Sequence, residues 1–329
     1  MRRIVLVRPG EVALEEFDGR RAGPDDCIVR VQVAAVCSLD ARSFEGHATR
    51  LDLGVPPVLG HEIFGHVVEP GATGFGRGTP VAIVNSSFCG RCQDCARGQF
   101  LHCTAFAIAA GGYADELVVP AAWCKWRLVP VEPTSDPVAA CYLDSIACAV
   151  RALKIGRLAS GDRLLVRGGG FMGCLVALVG RAWGADVTVL AESDRSARYL
   201  SRLELEHVSH AEAARSNPSQ HADIVVDVSG RRGFSQVIGS QLGTGCRLVF
   251  MTGGEGAELP TSDIVYARRL TILHSFHSDL EDRREAVQFV RPLTAALRLI
   301  STGLPLAEAG RALDLVARRA EMRCHLVLR

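Results

Sequence analysis

The chain has 329 residues, 48% of them apolar, and a formal net charge of +1. That length leaves room for two cores, and the near-zero charge gives no electrostatic footprint for nucleic acid or an anionic membrane. The first ten residues hold one apolar run, Ile4–Val7, too short for a signal peptide or a membrane span. The expectation is therefore a cytoplasmic protein whose thiols stay reduced and can hold metal.

Residues 1–36 alternate short apolar runs with turns. Ile4–Val7, Val12–Leu14 and Cys27–Val33 read as strands, separated by Pro9-Gly10 and by the segment Gly19–Asp26. Val29, Val31 and Val33 alternate with Arg30 and Gln32, the pattern of a half-buried strand. Cys37 stands at the corner where that strand meets a helix, and a lone cysteine there is more often packing than ligand. Gly60-His61-Glu62 reverses the balance. A thiolate, an imidazole and a carboxylate are the usual ligands of a catalytic zinc that keeps one position open. His66, alternating with Phe64 in the strand Ile63–Val68, reads as structural.

Cys89, Cys92, Cys95 and Cys103 follow, with two, two and seven residues between them. Four thiolates close a tetrahedral shell, so this run reads as a structural zinc site. A disulfide ladder suits small secreted scaffolds instead. Cys27, Cys124, Cys141, Cys148, Cys174, Cys246 and Cys324 fall mostly in apolar runs and read as small core residues. This first third, with the later strand Glu116–Val119, is an all-β body whose loops carry the ligands.

Asp136–Leu158 is the first long helical pattern. Asp144 lies within it beside Leu143 and Ile146, where a half-buried carboxylate needs a partner or a metal. Next, the buried strand around Leu164–Val166 runs into Gly168, Gly170 and Gly173 at Gly-x-Gly-x-x-Gly spacing, and then into an apolar helix. Flanked in this way, the pattern is a dinucleotide fingerprint. Gly168 makes the tight turn, Gly170 lets backbone approach a pyrophosphate, and Gly173 lets helix and strand pack closely. Phe171 and Met172 open the helix whose N-terminus receives phosphate charge. The second strand runs Val187–Glu192; Ala191 stands where the acid that binds the adenosine ribose is first expected, and Glu192 follows it. Arg195 and Arg198 are close enough to meet a 2′-phosphate instead, and NAD is favoured over NADP.

Further α/β units follow. Ile224–Val228 leads to Ser229-Gly230, Arg247–Met251 to Thr252-Gly253-Gly254, and Leu270–Leu273 to His274-Ser275-Phe276. Strands alternating with helices give the α/β class, a doubly wound parallel sheet covered on both faces. Glu285–Leu299 and Ala307–Arg319 read as amphipathic helices and His325–Leu328 as a closing strand.

Together these motifs resemble the zinc-dependent medium-chain dehydrogenase/reductase family, the alcohol and polyol dehydrogenases. The resemblance runs through the whole chain in motif order. It implies a GroES-like β-rich catalytic domain, residues 1–150 and 288–329, around a Rossmann domain, residues 151–287. It implies two zincs per chain. Cys37, His61 and Asp144 match the catalytic ligands, with Glu62 beside the metal, and the four-cysteine run matches the structural site. It assigns NAD or NADP to Gly168, Gly170, Phe171, Met172, Gly173, Glu192, Arg195 and Ser229. The implied reaction is hydride transfer between a secondary alcohol, such as a polyol, sugar or aminocyclitol-like compound, and the nicotinamide. The expected partners are that alcohol or ketone and further copies of the chain, as homodimer or homotetramer. Phe44, Phe88 and Phe276 are candidates for the substrate pocket.

Two positions depart from the family pattern. Leu39 stands where a Ser or Thr usually takes the substrate proton, and Arg42 where a His often passes it on. Ser38 and His47 are the nearest replacements. The competing readings are an NADPH-dependent carbonyl or enoyl reductase and a non-catalytic nucleotide-binding sensor or partner protein.

Overall fold

The computed structural model describes the chain apart from residues 20, 21, 48, 50, 214–220, 234–237, 239, 240, 253–257 and 329. Gly253 and Gly254 therefore lie outside the described residues. The chain divides into two compact units. Residues 1–144 and 279–329 form the first, and residues 145–278 the second.

In the first unit β1 (Arg2–Arg8) and β2 (Glu11–Glu16) pair as a hairpin. β3 (Cys27–Val36), β4 (Glu62–Glu69) and β5 (Pro80–Ile83) follow as antiparallel neighbours. A short ribbon, β6 (Ser86–Ser87) with β7 (Ala107–Ile108), brackets the four-cysteine run. β8 (Glu116–Val119) returns to β3, and β9 (Leu128–Pro130) pairs with β5. Cys27, Val29, Val31 and Val33 point inward along β3, while Arg30 and Gln32 face water. The alternation ends at Ala34-Ala35-Val36, all fully buried, where β3 runs between two neighbours. Small residues at that point let the backbones pack closely.

The second unit is one parallel sheet. β10 (Arg163–Arg167), β11 (Asp186–Ala191), β12 (His207–Ser209), β13 (Ala222–Asp227), β14 (Leu242–Phe250) and β15 (Thr271–His274) lie in the order β12-β11-β10-β13-β14-β15. The order reverses between β10 and β13. Ligands of open α/β sheets sit at such a switch point, beyond the carboxyl ends of the strands. Val166, Val189, Val225 and Val249 are fully buried, as a sheet covered on both faces requires.

The chain then returns to the first unit. β16 (Ser301–Pro305) pairs with β17 (Arg323–Val327), which pairs antiparallel with β3. Between the units the long helical pattern is interrupted. One helix covers Pro137–Cys141 and the next Leu143–Ile155. Tyr142 leaves the helix, and its buried hydroxyl donates to the Cys324 carbonyl at 3.2 Å and lies 2.6 Å from Ser301 Oγ. Ser301 Oγ lies in turn 2.7 Å from His325 Nδ1. A proton order satisfies all three groups. His325 Nδ1–H donates to Ser301, Ser301 to Tyr142, and Tyr142 to the carbonyl. The helix after the second unit starts earlier than the apolar pattern shows, at Leu280, because Asp279 caps it through the Glu281 and Asp282 N–H groups. Among the described residues no helix is long and apolar enough to cross a membrane.

The imidazole of this chain of donors is held neutral by its surroundings. Burial, reinforced by Arg298, pushes His325 down to about 4. The unfolded chain therefore binds the extra proton first as pH falls below the ordinary histidine value. This contribution to stability is complete above about pH 6.5 and is lost on the way down to about pH 4, roughly 3 kcal/mol in all. Urea unfolding of the wild type and His325→Gln at several pH values should show a shallower loss in the variant; equal slopes would refute the assignment.

Candidate functional site

Cys37 sits at the N-terminus of the helix Ser38–Phe44, at the end of β3. Asp40, one turn on, is fully buried. Its Oδ2 accepts from the Cys37 N–H at 3.1 Å, and its Oδ1 accepts from the Gly60 N–H at 3.0 Å and lies 3.1 Å from His61 Nδ1. Gly60 has φ +91°, and a Cβ there would lie 2.3 Å from the Tyr113 ring, so the approach to His61 admits only glycine. With Nδ1 held by a carboxylate, the imidazole presents Nε2 as its ligand atom, the usual outer-shell arrangement of a metal-binding histidine.

Cys37 Sγ, the His61 ring and a Glu62 oxygen come together with their ligand atoms all within 4.8 Å of one another. Arg323 of β17 is buried beside them. It donates to the Val36 carbonyl at 3.1 Å and lies 3.7 Å from Glu62 Oε1. Burial pushes the Cys37 thiol up, but Arg323 and His61 outweigh it, and its pKa falls below the ordinary value. A thiolate, an oriented imidazole and a carboxylate suit zinc.

Asp144 stands outside that compact set. Its carboxyl is buried and raised by burial, opposed first by Arg283, and it also senses Glu62 and His61. Its Oδ1 accepts no hydrogen bond among the described residues. A buried carboxylate oxygen without a donor is costly, and a cation near Glu62 and His61 would relieve it. The donor set thus fits a metal, with Asp144 in electrostatic reach of Glu62 and His61.

The two positions expected to replace the proton relay are both exposed. His47 is exposed and 3.7 Å from Glu45. Ser38 is exposed, its Oγ 3.9 Å from Cys37 Sγ. Leu39 packs against the small apolar cluster of Leu51, Ile108 and Ala110. Phe44 belongs to the core of the first unit. Phe88 is buried among Phe100, Phe106 and Trp126 in the cysteine lobe. Both supply apolar area that closes a core. Phe276 is half-exposed, edge-on to His277.

Cys89, Cys92, Cys95 and Cys103 likewise bring four sulfurs within 4.8 Å of one another. Backbone N–H groups point at them. Cys92 N donates to Cys89 Sγ and Cys89 N to Cys103 Sγ, each at 3.3 Å, and Ala105 N donates to Cys103 Sγ at 3.4 Å. Backbone donors from Cys95 and Thr104 lower the Cys92 thiol to about 6. Burial pushes Cys95 up to about 12. One soft thiolate beside a reluctant thiol is a set that a divalent cation would complete. Two buried arginines brace the lobe. Arg127 donates to the Val84 and Ala109 carbonyls, and Arg283 to the Trp126 carbonyl and Ser86 Oγ, with its guanidinium 5.4 Å from the Phe88 ring centre.

In the second unit β10 ends at Arg167 and the chain turns at Gly168, φ +113°. A Cβ on Gly173 would lie 1.8 Å from the Gly168 carbonyl oxygen, so this helix closes on the turn only because Gly173 has no side chain. A Cβ on Gly170 would meet nothing within 4 Å, which leaves its backbone open to a ligand. Phe171 and Met172 begin the helix Phe171–Ala182. Ser229 is engaged by Asp227, to which its N–H and hydroxyl both donate at 2.8 Å. Glu192 follows β11 and pairs with Arg231, Oε2 to Nε 3.2 Å. Arg195 lies 5.9 Å from the Tyr199 ring centre.

Residues 23–131 match the family model of the alcohol dehydrogenase GroES-like domain. An L-threonine 3-dehydrogenase from Pyrococcus horikoshii is 30% identical over 209 residues, 60% of this chain and 58% of that protein. Over these residues the chain is similar to the zinc-dependent medium-chain alcohol dehydrogenases. An L-galactonate-5-dehydrogenase from Escherichia coli is 27% identical over 61% of this chain and 59% of its own length. The chain thus spans less than two thirds of these curated relatives. An alcohol dehydrogenase from Thermus sp. ATN1 shares the fold, with TM-score 0.84, 24% identity and 100% of both chains covered. Asp40 and Arg323 are candidate-site positions that motif reading passes over here. Asp40 had a signal, a carboxylate three residues into the helix that starts at Cys37. Arg323 had none, because only the pairing of β17 with β3 brings it to Cys37.

Two substitutions follow from these contacts. Gly173→Ala should weaken dinucleotide binding by at least about 100-fold and cost roughly 1–3 kcal/mol of stability, read by calorimetry and urea unfolding. Cys95→Ser should remove about one equivalent of zinc on metal analysis and lower the melting temperature. Unchanged metal content in Cys95→Ser would exclude the four-cysteine site.

Proposed function

We propose that the chain is a zinc- and nicotinamide-dependent dehydrogenase that interconverts a small polar secondary alcohol and its ketone. The observation that carries this reading is the compact Cys37, His61 and Glu62 set, with His61 oriented by Asp40. The substrate class is a polyol, sugar or aminocyclitol-like alcohol. Its support is chemical and comparative: relatives carry the names threonine, galactonate and sorbitol dehydrogenase.

Cys37 Sγ, His61 Nε2 and a carboxylate oxygen of Glu62 or Asp144 would hold the catalytic zinc, which when bound acidifies an alcohol hydroxyl and polarises a ketone. The Gly168–Gly173 turn and Glu192 would hold NAD or NADP, the hydride carrier. The residues of the chain do the rest. Asp40 keeps the His61 proton on Nδ1. Arg323, 3.7 Å from Glu62 Oε1, favours the thiolate form of Cys37. Leu39 makes its side of the helix apolar, so the substrate proton leaves without a hydroxyl at that position. A second zinc in the four-cysteine lobe is structural.

The test is a screen of polyols, amino sugars and simple secondary alcohols with both cofactors, alongside metal analysis. Cys37→Ala should abolish turnover and remove about one of two zinc equivalents, and Asp144→Asn should weaken zinc retention by about 10-fold or more. His47→Ala should leave the rate and its pH profile unchanged. Turnover that survives removal of the catalytic zinc would favour alkene or carbonyl reduction, and no turnover with any alcohol would sink the dehydrogenase reading.

A further inference from the structure

Glu192 and Arg231 reach each other from opposite sides of the switch point. Glu192 follows β11, Arg231 lies in the loop after β13, and β10 with its Gly168 turn runs between those strands. The pair therefore spans the carboxyl end of β10, where an open α/β sheet receives its ligand.

The loop that carries Arg231 is built into the sheet. Arg167, almost fully buried at the last position of β10, donates to Asp227 Oδ2 at 2.8 Å, to the Arg231 carbonyl at 3.0 Å and to the Arg232 carbonyl at 2.8 Å. Ser229 Oγ accepts from the Arg231 N–H at 3.2 Å, and Asp227 anchors Ser229. The backbone at Arg231 is thus fixed from β10 and β13, while its side chain is 54% exposed. Glu192 is 13% exposed, and its Oε1 is buried without a hydrogen-bond donor among the described residues.

A bare carboxylate at the end of the second strand accepts the ribose diol and repels a 2′-phosphate. Here the carboxylate is met by a guanidinium, Arg231 Nε to Glu192 Oε2 at 3.2 Å, on a side chain that is half exposed. Half-exposed pairs of this kind are easily opened. Arg195, the nearest arginine in sequence, is on the helix Asp194–Arg202 beside Tyr199. We propose that Glu192 and Arg231 form a two-way adenosine-ribose reader, so that the chain accepts both NAD and NADP: Glu192 takes the diol of the first, and Arg231 takes the 2′-phosphate of the second. This rests on the dinucleotide reading of the Gly168–Gly173 turn.

Calorimetric titration of the purified chain with NAD⁺ and NADP⁺ tests it without any turnover. The wild type should bind both, with affinities within about 30-fold of each other. Arg231→Ala should shift the preference toward NAD⁺ by at least about 10-fold, and Glu192→Gln toward NADP⁺ by at least about 10-fold, with melting curves confirming that each variant is folded. A wild-type preference beyond that range overturns the proposal. So does an Arg231→Ala variant that weakens both alike, or an NADP⁺ affinity that depends on Arg195 instead. If neither dinucleotide binds the wild type, the dinucleotide reading of the turn itself falls, and the proposal with it.

Discussion

Asp40 is fully buried and holds three donors from two separated stretches of chain: the Cys37 and Gly60 backbone N–H groups and the His61 ring. A buried carboxylate tolerates this position only when such donors replace its water. Each donor it satisfies is also a constraint on a candidate ligand. The Cys37 bond fixes the start of the helix, the Gly60 bond fixes the approach of β4, and the His61 bond fixes a tautomer. The geometry of the candidate metal site thus depends on one carboxylate outside the ligand set.

Charge balance completes the arrangement. Cys37 and Glu62 would repel one another as anions in a low-dielectric interior. Arg323 lies beside both, with its charge strengthened by the company it keeps despite burial. In the cysteine lobe Arg127 and Arg283 instead cap backbone carbonyls, those of Val84, Ala109 and Trp126. Buried arginines here serve as cross-links between segments that have little regular structure of their own.

The elements that short-range chemistry determines were legible in the sequence. The alternation of β3, the parallel strands around Gly168 and the cysteine spacing all follow from patterns a few residues long. So does Gly173, whose need for a bare Cα is visible as a Gly-x-Gly-x-x-Gly spacing and explained by a 1.8 Å approach. What stayed hidden depends on residues distant in sequence. The interruption at Tyr142 answers to Ser301 and Cys324. Phe88 reads as a loop aromatic until the lobe closes over it. Arg167 reads as a charge at the end of an apolar strand, and only Asp227 and the carbonyls after it explain its burial. Asp144 could be singled out by its apolar neighbours, but its place relative to Glu62 and His61 could not.

The pairing of β17 with β3 has a consequence for the order of assembly. The second unit is one continuous segment, and its sheet can close while the remaining chain is still being synthesised. The first unit cannot, because the neighbour of its central strand is encoded roughly 290 residues later. Until that strand arrives, Ala34, Ala35 and Val36 present an open edge, and Cys37 and Glu62 lack their cation. A nascent chain would therefore carry exposed ligand thiols beside a finished nucleotide-binding fold. The late strand both seals the sheet edge and brings the positive charge of Arg323 beside Cys37 and Glu62.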